Sequence, residues 1–454
     1  MLPSSLLQSL LVCIPFIPNV SAQSFEDTIT DPTKRAEYAL STLQIWYNAG
    51  AGIWDTAGWW NGANIMTMIG NLAKADPNNA RLQSLATRLF ANTLMQAPSR
   101  NPQPGIEKEA LRRRDVDLGN GTFTLFNNTG FETGYTKALN PSTNEPLTIY
   151  PTTWHKPGPY VDITSLPIYK SEAAAKGGNN QEVMTTSLNP DDWLDGFYDD
   201  DLWWALAWIN AYDLTSNPTY LTLAEGIFAA VTKVWPTRCF NGGIYWSWER
   251  TYMNAIANEL FMSTAAHLAN RVSADKKPGY VDWAQRTLAW FLRSGMINEK
   301  STINDGLADD CSNNGAAVWS YNQGVILGAL VELNTAAPDP SYLPLASRIA
   351  NAALAGLTDK TGILHDPCEP GCGGDGNQFK GIFMRNLQLL YGVAPEQAFV
   401  DAVRVNAESI WGKNRGGDMG VVFGVNWAGP YGGPPNATLQ GSAMDALVAG
   451  IVVR

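Results

Sequence analysis

The sequence predicts an all-α protein, a ring of helical hairpins with a long loop insertion, and three observations carry the prediction. Apolar residues return every third or fourth position through most of the chain, the mark of helices with one buried face. Strand-type alternation is scarce. Twelve helical segments fall in consecutive pairs, so each pair can hide its apolar faces between an inner and an outer layer. No fixed-period repeat supports an open solenoid.

The elements follow in order. Leu6, Leu7, Leu10, Leu11, Val12, Ile14 and Phe16 form a short apolar run, and Val20-Ser21-Ala22 offers a cleavage site before Gln23. At this length it reads as an export signal over 1–22 rather than as a span of about 20 residues. Residues 23–454 are then a single domain. Helices are predicted over 33–49, 62–74 and 79–98. Residues 99–190 break the pattern: Pro, Gly, Asn and Thr punctuate them, and Arg112-Arg113-Arg114 stands near their start. This stretch reads as an insertion within the domain, with a short strand over Thr122–Phe126. Helices resume over 200–213, 217–234, 252–272, 279–296, 318–335, 339–357, 379–392, 396–411 and 440–451. Ala205, Leu206, Trp208, Ile209 and Tyr212 show the amphipathic spacing, and Ser216-Asn217-Pro218 supplies a break and the next helix start.

Composition narrows the partners. With 31 basic and 42 acidic residues the net charge is −11, and no long basic run appears. Nucleic acid and anionic membrane are therefore not expected partners. The 45% apolar content excludes wholesale disorder. The 17 Trp, 16 Tyr and 15 Phe are unusually many, and on composition alone they suit an aromatic-rich helical core ahead of platforms for sugar rings. Once Cys13 leaves with the signal, Cys239, Cys311, Cys368 and Cys372 remain, an even set with three connectivities. The turn-like spacer Glu369-Pro370-Gly371 makes a local Cys368–Cys372 bridge one natural pairing. Sequons at Asn120, Asn127 and Asn436 suit an exported glycoprotein. None of the three His sits at ligand spacing with the Cys, so no metal or other cofactor is expected. His155, His267 and His365 are isolated and read as structural.

The chemistry concentrates in Tyr198-Asp199-Asp200-Asp201-Leu202-Trp203-Trp204. Helix capping and the macrodipole explain one or two carboxylates at a helix start. They do not explain the flanking aromatics. Glycoside hydrolysis needs two carboxyls around a sugar bond, one ionised and one protonated, and a dry aromatic wall raises the pKa of one of them. Consecutive helical residues diverge by about 100°, so neighbouring Asp side chains serve one substrate only from a loop or a first turn. Asn254 and Asn258, one turn apart, suit either paired hydroxyl recognition or tying a helix end to a loop. Tyr245 and Trp246, after Gly242-Gly243, read as a cleft wall. Tyr321 and Gln323 open a helix at the mouth, and Asp305 and Lys380 read as ion-paired scaffold.

The string Asp199-Asp200-Asp201-Leu202-Trp203-Trp204-Ala205-Leu206-Ala207-Trp208-Ile209, running on to Ala211-Tyr212-Asp213-Leu214-Thr215, resembles glycoside hydrolase family 76, the α-1,6-mannanases. The resemblance takes in Trp59-Trp60-Asn61-Gly62-Ala63-Asn64, Gly242-Gly243-Ile244-Tyr245-Trp246, and Asn254-Ala255-Ile256-Ala257-Asn258-Glu259-Leu260-Phe261. It continues through Tyr321-Asn322-Gln323-Gly324 and Gln378-Phe379-Lys380-Gly381, and covers residues 33–98 and 190–412. It implies an (α/α)6 barrel and a retaining endo-α-1,6-mannanase acting on α-mannan or mannoprotein glycan. By resemblance Asp199 is the nucleophile and Asp200 the general acid/base, with Asp200 and Asp201 the alternative register. Trp59, Trp60, Asn64, Trp203, Trp204, Tyr245, Trp246, Asn254, Asn258, Tyr321 and Gln323 would bind substrate. The alternatives are a transglycosylase joining mannoside or anchor glycan to wall glucan, and a catalytically silent mannan-binding protein. The end at Ala449–Arg454 lacks a lipid-anchor tail, so free secretion is expected, with cell-wall association the alternative; a monomer is expected as well.

Overall fold

The computed structural model describes residues 25–102, 137–139, 146–148, 189–416 and 421–453. The export signal, the Thr122–Phe126 strand, the sequons at Asn120 and Asn127, and His155 lie outside the described residues.

The described residues contain twelve α-helices: α1 Pro32–Leu43, α2 Trp59–Ala75, α3 Ala80–Gln96, α4 Tyr198–Thr215, α5 Pro218–Val231, α6 Ala255–Ala269, α7 Lys277–Ser294, α8 Ser320–Ala336, α9 Tyr342–Leu357, α10 Gly373–Val393, α11 Gln397–Lys413 and α12 Ala437–Val452. Each matches one predicted segment. The even-numbered helices pack side by side as an inner ring, α2 to α4 and on through α6, α8 and α10 to α12, and α12 closes against α2. Every odd-numbered helix covers a seam outside: α1 lies on α12, α5 on α4, α7 on α6 and α9 on α8. This is the closed double layer of an (α/α)6 barrel.

Local chemistry sets the starts. Asp31, Asn79, Asn217, Asn254 and Asn436 each turn a side-chain oxygen onto a free backbone N–H of the helix that follows, the cap that satisfies an orphan donor. Pro32 and Pro218 occupy first-turn positions where no N–H is needed. The third sequon therefore begins α12, with Thr438 wholly buried. Inner helices approach closely where side chains are absent. A Cβ on Gly324 would stand 2.6 Å from the Phe383 backbone, and one on Gly381 would stand 2.5 Å from the Ser442 carbonyl.

Boundaries differ where loops compete. Residues predicted as the end of the first helix instead form a 3₁₀ turn, Gln44–Trp46, and the strand Tyr47–Asn48, which pairs antiparallel with Ile53–Trp54. In the insertion the described residues form one antiparallel pair, Lys137–Leu139 with Pro146–Thr148. The cysteines pair as Cys239–Cys311 and Cys368–Cys372. Among the described residues no helix is long and apolar enough to cross a membrane.

Candidate active site

The hairpin order makes all six inner helices run the same way, so their N-termini meet at one end of the barrel. Tyr198, Trp59, Asn254, Tyr321, Asp375 and Asn436 all stand at that end. The loops entering the inner helices close over it, and the aromatics and carboxyls singled out above gather there.

Asp199, Asp200 and Asp201 occupy the first turn of α4. The entering loop is held tightly: Asp195 N–H donates to Asp201 Oδ1 at 2.9 Å, and Phe197 N–H donates to Asp195 Oδ1 at 2.9 Å. Asp201 is wholly buried in this task. Asp199 and Asp200 are half-buried neighbours. The segment 245–248 zips onto the same loop: Tyr198 N–H donates to the Trp246 carbonyl at 2.9 Å, and Trp248 N–H to the Gly196 carbonyl at 2.9 Å. That pairing brings the Trp246 indole to Asp199, where Nε1–H donates to Oδ2 at 3.0 Å. Asp199 Oδ1 is buried without a protein hydrogen bond. Burial pushes the Asp199 carboxyl up to about 7; the indole donor works against this, and the negative charge of Asp195 adds to it.

A second wall faces this turn. The Trp60 and Trp203 rings stack at 5.8 Å, and Trp60 Nε1–H donates to Asp375 Oδ1 at 2.9 Å. Phe379 lies between them and Tyr321, whose ring stacks flat on it at 3.8 Å. Trp319 meets Phe379 edge-on at 5.6 Å. The Tyr321 phenol is held well above its usual pKa, first by burial and then by Asp305, Asp199, Asp375 and Glu259 around it. Carboxyls from α4, α6, α10 and the 295–319 loop thus converge on one tyrosine. Asp305 accepts from Tyr252 Oη at 2.5 Å, and Asn314 Nδ2 donates to the same phenol at 3.0 Å. Glu259, on α6, is fully buried with neither carboxyl oxygen hydrogen-bonded, and burial with the nearby Asp305 charge raises its pKa well above the usual value.

Several expected substrate contacts belong to the scaffold instead. Trp59 and Trp204 pack with Trp193 and Trp208 in a buried indole cluster, ring to ring at 4.7–6.2 Å, and Trp204 has no exposed surface. Asn258 is wholly buried: Oδ1 accepts from Ile244 N–H at 2.8 Å, and Nδ2 donates to the carbonyls of Ile244 and Asn254. Gln323 clamps Ile303 in the same two-point way. Asn254 is a helix cap. Asn64 accepts from Arg385, whose other nitrogen meets Asp445 beneath the floor. Amides that read as hydroxyl binders are therefore ties between helices and loops. Trp60, Trp203, Tyr321, Tyr245 and Trp246 remain at the mouth, the last two half-exposed. Lys380 does pair, with Glu369, while Asp305 answers to Tyr252. Sequence reasoning missed Asp375, Phe379, Trp319 and Tyr252; Phe379 stood inside a quoted motif, but its ring partners come from α2 and from the start of α8.

A helical double barrel with adjacent carboxyls at the mouth, ringed by aromatic side chains, defines a carbohydrate-processing enzyme of the glycosidase class. The profile of glycosyl hydrolase family 76 matches residues 158–453, and the chain belongs to that family. A Candida albicans protein named mannan endo-1,6-alpha-mannosidase DCW1 is 28% identical over 271 residues, covering 55% of this chain and 59% of that protein. A Schizosaccharomyces pombe protein named putative mannan endo-1,6-alpha-mannosidase C970.02 is 28% identical over 284 residues, covering 56% and 62%. The chain thus spans about three fifths of these relatives. Among solved structures, an inactive variant of the α-1,6-mannanase GH76A of Salegentibacter sp. HEL1_6, in complex with α-1,6-mannotetrose, superposes with a TM-score of 0.62 at 17% identity, covering 93% of this chain and all of that one. Dfg5 from Chaetomium thermophilum in complex with glucosamine superposes with a TM-score of 0.64 at 16% identity, covering 93% and 90%.

Proposed function

We propose that the chain is a retaining endo-α-1,6-mannanase with Asp199 as nucleophile and Asp200 as general acid/base. The observation that carries the reading is the placement of two neighbouring carboxyls, at least one of them depleted of water, on the first turn of α4 opposite the Trp60–Phe379–Tyr321 wall. The structural relative with bound mannotetrose was inactivated by replacing two consecutive aspartates, and the curated relatives carry the mannosidase name.

In the first step an Asp199 oxygen attacks the anomeric carbon. The bond to the leaving sugar breaks as its oxygen takes the Asp200 proton. In the second, water attacks the same carbon, Asp200 takes the proton from that water, and the ester to Asp199 breaks. Neighbouring carboxyls that share one proton let one member be ionised while the other is acid. The high pKa of Tyr321 keeps its hydroxyl a donor throughout.

The test is release of reducing ends from linear α-1,6-mannan by the wild-type protein, with Asp199→Asn and Asp200→Asn each losing at least a thousandfold in kcat. Either variant turning over at the wild-type rate overturns the assignment. One observation favours transglycosylation as a second reading: carboxyls crowd the mouth, and a structural relative was crystallised with a cationic amino sugar. Elongated products on adding an amino-sugar glycan acceptor to the same assay would establish it.

A further inference from the structure

The reading above leaves a conflict at Asp199. A nucleophile must be ionised while its neighbour holds the proton, yet burial favours the protonated form of Asp199. Something must return the negative charge to it.

We propose that Trp246 is a positioning residue that assigns the proton within the pair: its indole N–H, held in place by a Tyr252–Asp305 brace, keeps Asp199 the ionised member and leaves the proton to Asp200. The inference rests on the mannanase reading and concerns the same site.

The geometry is specific. The Trp246 indole gives its single donor to Asp199 Oδ2 at 3.0 Å. A donor to a carboxyl oxygen stabilises the charged form more than the neutral one, and Nε1–H can do nothing but donate. Among the described residues Oδ1 has no side-chain donor, so beside the backbone N–H groups of Asp199 and Asp200 the indole is the side-chain donor that favours charge on Asp199. The indole is fixed on both sides. Its backbone N–H donates to the Tyr252 carbonyl at 2.8 Å, its carbonyl accepts from Tyr198, and the Tyr252 ring meets it edge-on at 6.4 Å. Tyr252 is itself tethered by the 2.5 Å bond from its hydroxyl to Asp305. Phe197, the residue before α4, packs on the indole at 5.0 Å. The other titratable groups bearing on Asp199 are Asp195 in the entering loop, Asp200 beside it and Tyr321 from α8. Each is acidic, so none supplies the stabilisation that the indole gives.

A sugar platform and a proton-assigning donor predict different kinetics. If Trp246 only stacks on substrate, Trp246→Phe keeps most of a ring face and raises KM alone. If it assigns the proton, Trp246→Phe removes the donor and the Asp199 pKa rises further. The acid limb of kcat/KM, which reports the free enzyme's ionised nucleophile, then moves up by half a pH unit or more. The expected result adds a fall in kcat of tenfold or more with KM within threefold. Tyr252→Phe, which removes the hydroxyl and with it the bonds to Asp305 and from Asn314, moves both quantities in the same direction by less.

The higher Asp199 pKa also shows without substrate. The stability deficit of Trp246→Phe against wild type should widen from pH 5 to pH 8, because a folded state that holds the proton more tightly loses stability as pH rises. A raised KM with kcat, acid limb and pH-dependent deficit unchanged overturns the proposal. So does a Tyr252→Phe protein identical to wild type in limb position. Failure of the mannanase reading itself is separable: wild-type protein then releases no reducing ends, while the substrate-free deficit still reports on the indole bond.

Discussion

Glu259 sets a problem of the residue scale, since it lies on the inner helix α6 with both oxygens buried and no protein donor. A carboxylate in that position would be very costly, so it stays neutral. The folded protein keeps this proton above pH 4.5, where the unfolded chain releases it, so Glu259 favours folding in acid and costs stability as pH rises. Glu259→Gln removes the titration and keeps the shape. Its thermal midpoint should equal the wild type's at pH 4 and exceed it by a growing margin toward pH 7, limited to about 1.4 kcal/mol per pH unit. A midpoint difference that is constant with pH would contradict this. The sequence showed Glu259 only as one letter in an Asn-rich helix start. Burial of a lone acid depends on what three other helices bring to it, and no local pattern records that. The same blindness explains Asn258 and Gln323, because an amide reads alike whether its partner is a sugar hydroxyl or the backbone of Ile244 or Ile303.

At the scale of elements the sequence was far more legible. All twelve helices match predicted segments: the outer ones bury one face, which the 3.6-residue repeat reflects, whereas inner ones such as α6, α8 and α12 are buried almost all round. The largest errors lie at the end of α1 and the start of α10: α1 stops at Leu43, six residues before its predicted end, and α10 begins at Gly373, six residues before its predicted start, because Gly373, Gly374 and Gly376 resemble a loop. Gly376 is required there, since a Cβ would stand 3.0 Å from Cys368 Sγ. Loops entering inner helices are the least legible parts and the ones that build the site. The 235–254 loop carrying Trp246 is anchored by the Cys239–Cys311 bridge, by Trp290 Nε1–H on the Cys239 carbonyl at 2.8 Å, and by Asn258 on Ile244. The bridge joins residues 72 apart, whereas Cys368–Cys372 spans 4. On loop-closure entropy the first stabilises by about 4 kcal/mol and the second by about 2 kcal/mol. Replacing Cys239 and Cys311 by Ser should therefore lower the denaturation midpoint more than replacing Cys368 and Cys372; the reverse order would show that the unfolded chain's entropy is not what these bridges chiefly restrict.

Over the whole molecule the ring has a chemical consequence, because a barrel lined by twelve helices buries whatever acids its inner faces carry. Burial lifts Asp199 and Asp445 to about 7 and Asp366 to about 6, and Glu259 rises with them. Asp445, Asp366, Glu259 and the Asp199–Asp200 pair each hold one proton in the folded state that the unfolded chain has lost, so each costs stability as pH climbs from about 4 toward its folded pKa. His267 works the other way: burial lowers its pKa, and the folded state gives up stability as pH drops below 6.5. Lys74 and the buried Lys380, both lowered from 10.5, bear on the alkaline side. Paired acids such as Asp213 and Glu332, held below their usual values, already give their full benefit above pH 5. Between pH 5 and 7 four carboxyls thus oppose one imidazole. The net charge of −11 adds self-repulsion that fades toward the isoelectric point near 4.8. The protein should unfold at a higher temperature at pH 5 than at pH 7.5, as followed by circular dichroism at fixed ionic strength. Asp445→Asn would not isolate this effect, because it strips Arg385 of its charged partner beneath the floor. Glu259→Gln would, and should flatten part of the slope. A midpoint that rises from pH 5 to pH 7.5 would mean that the inner acids of the barrel are reached by water and ionise as they do at a surface.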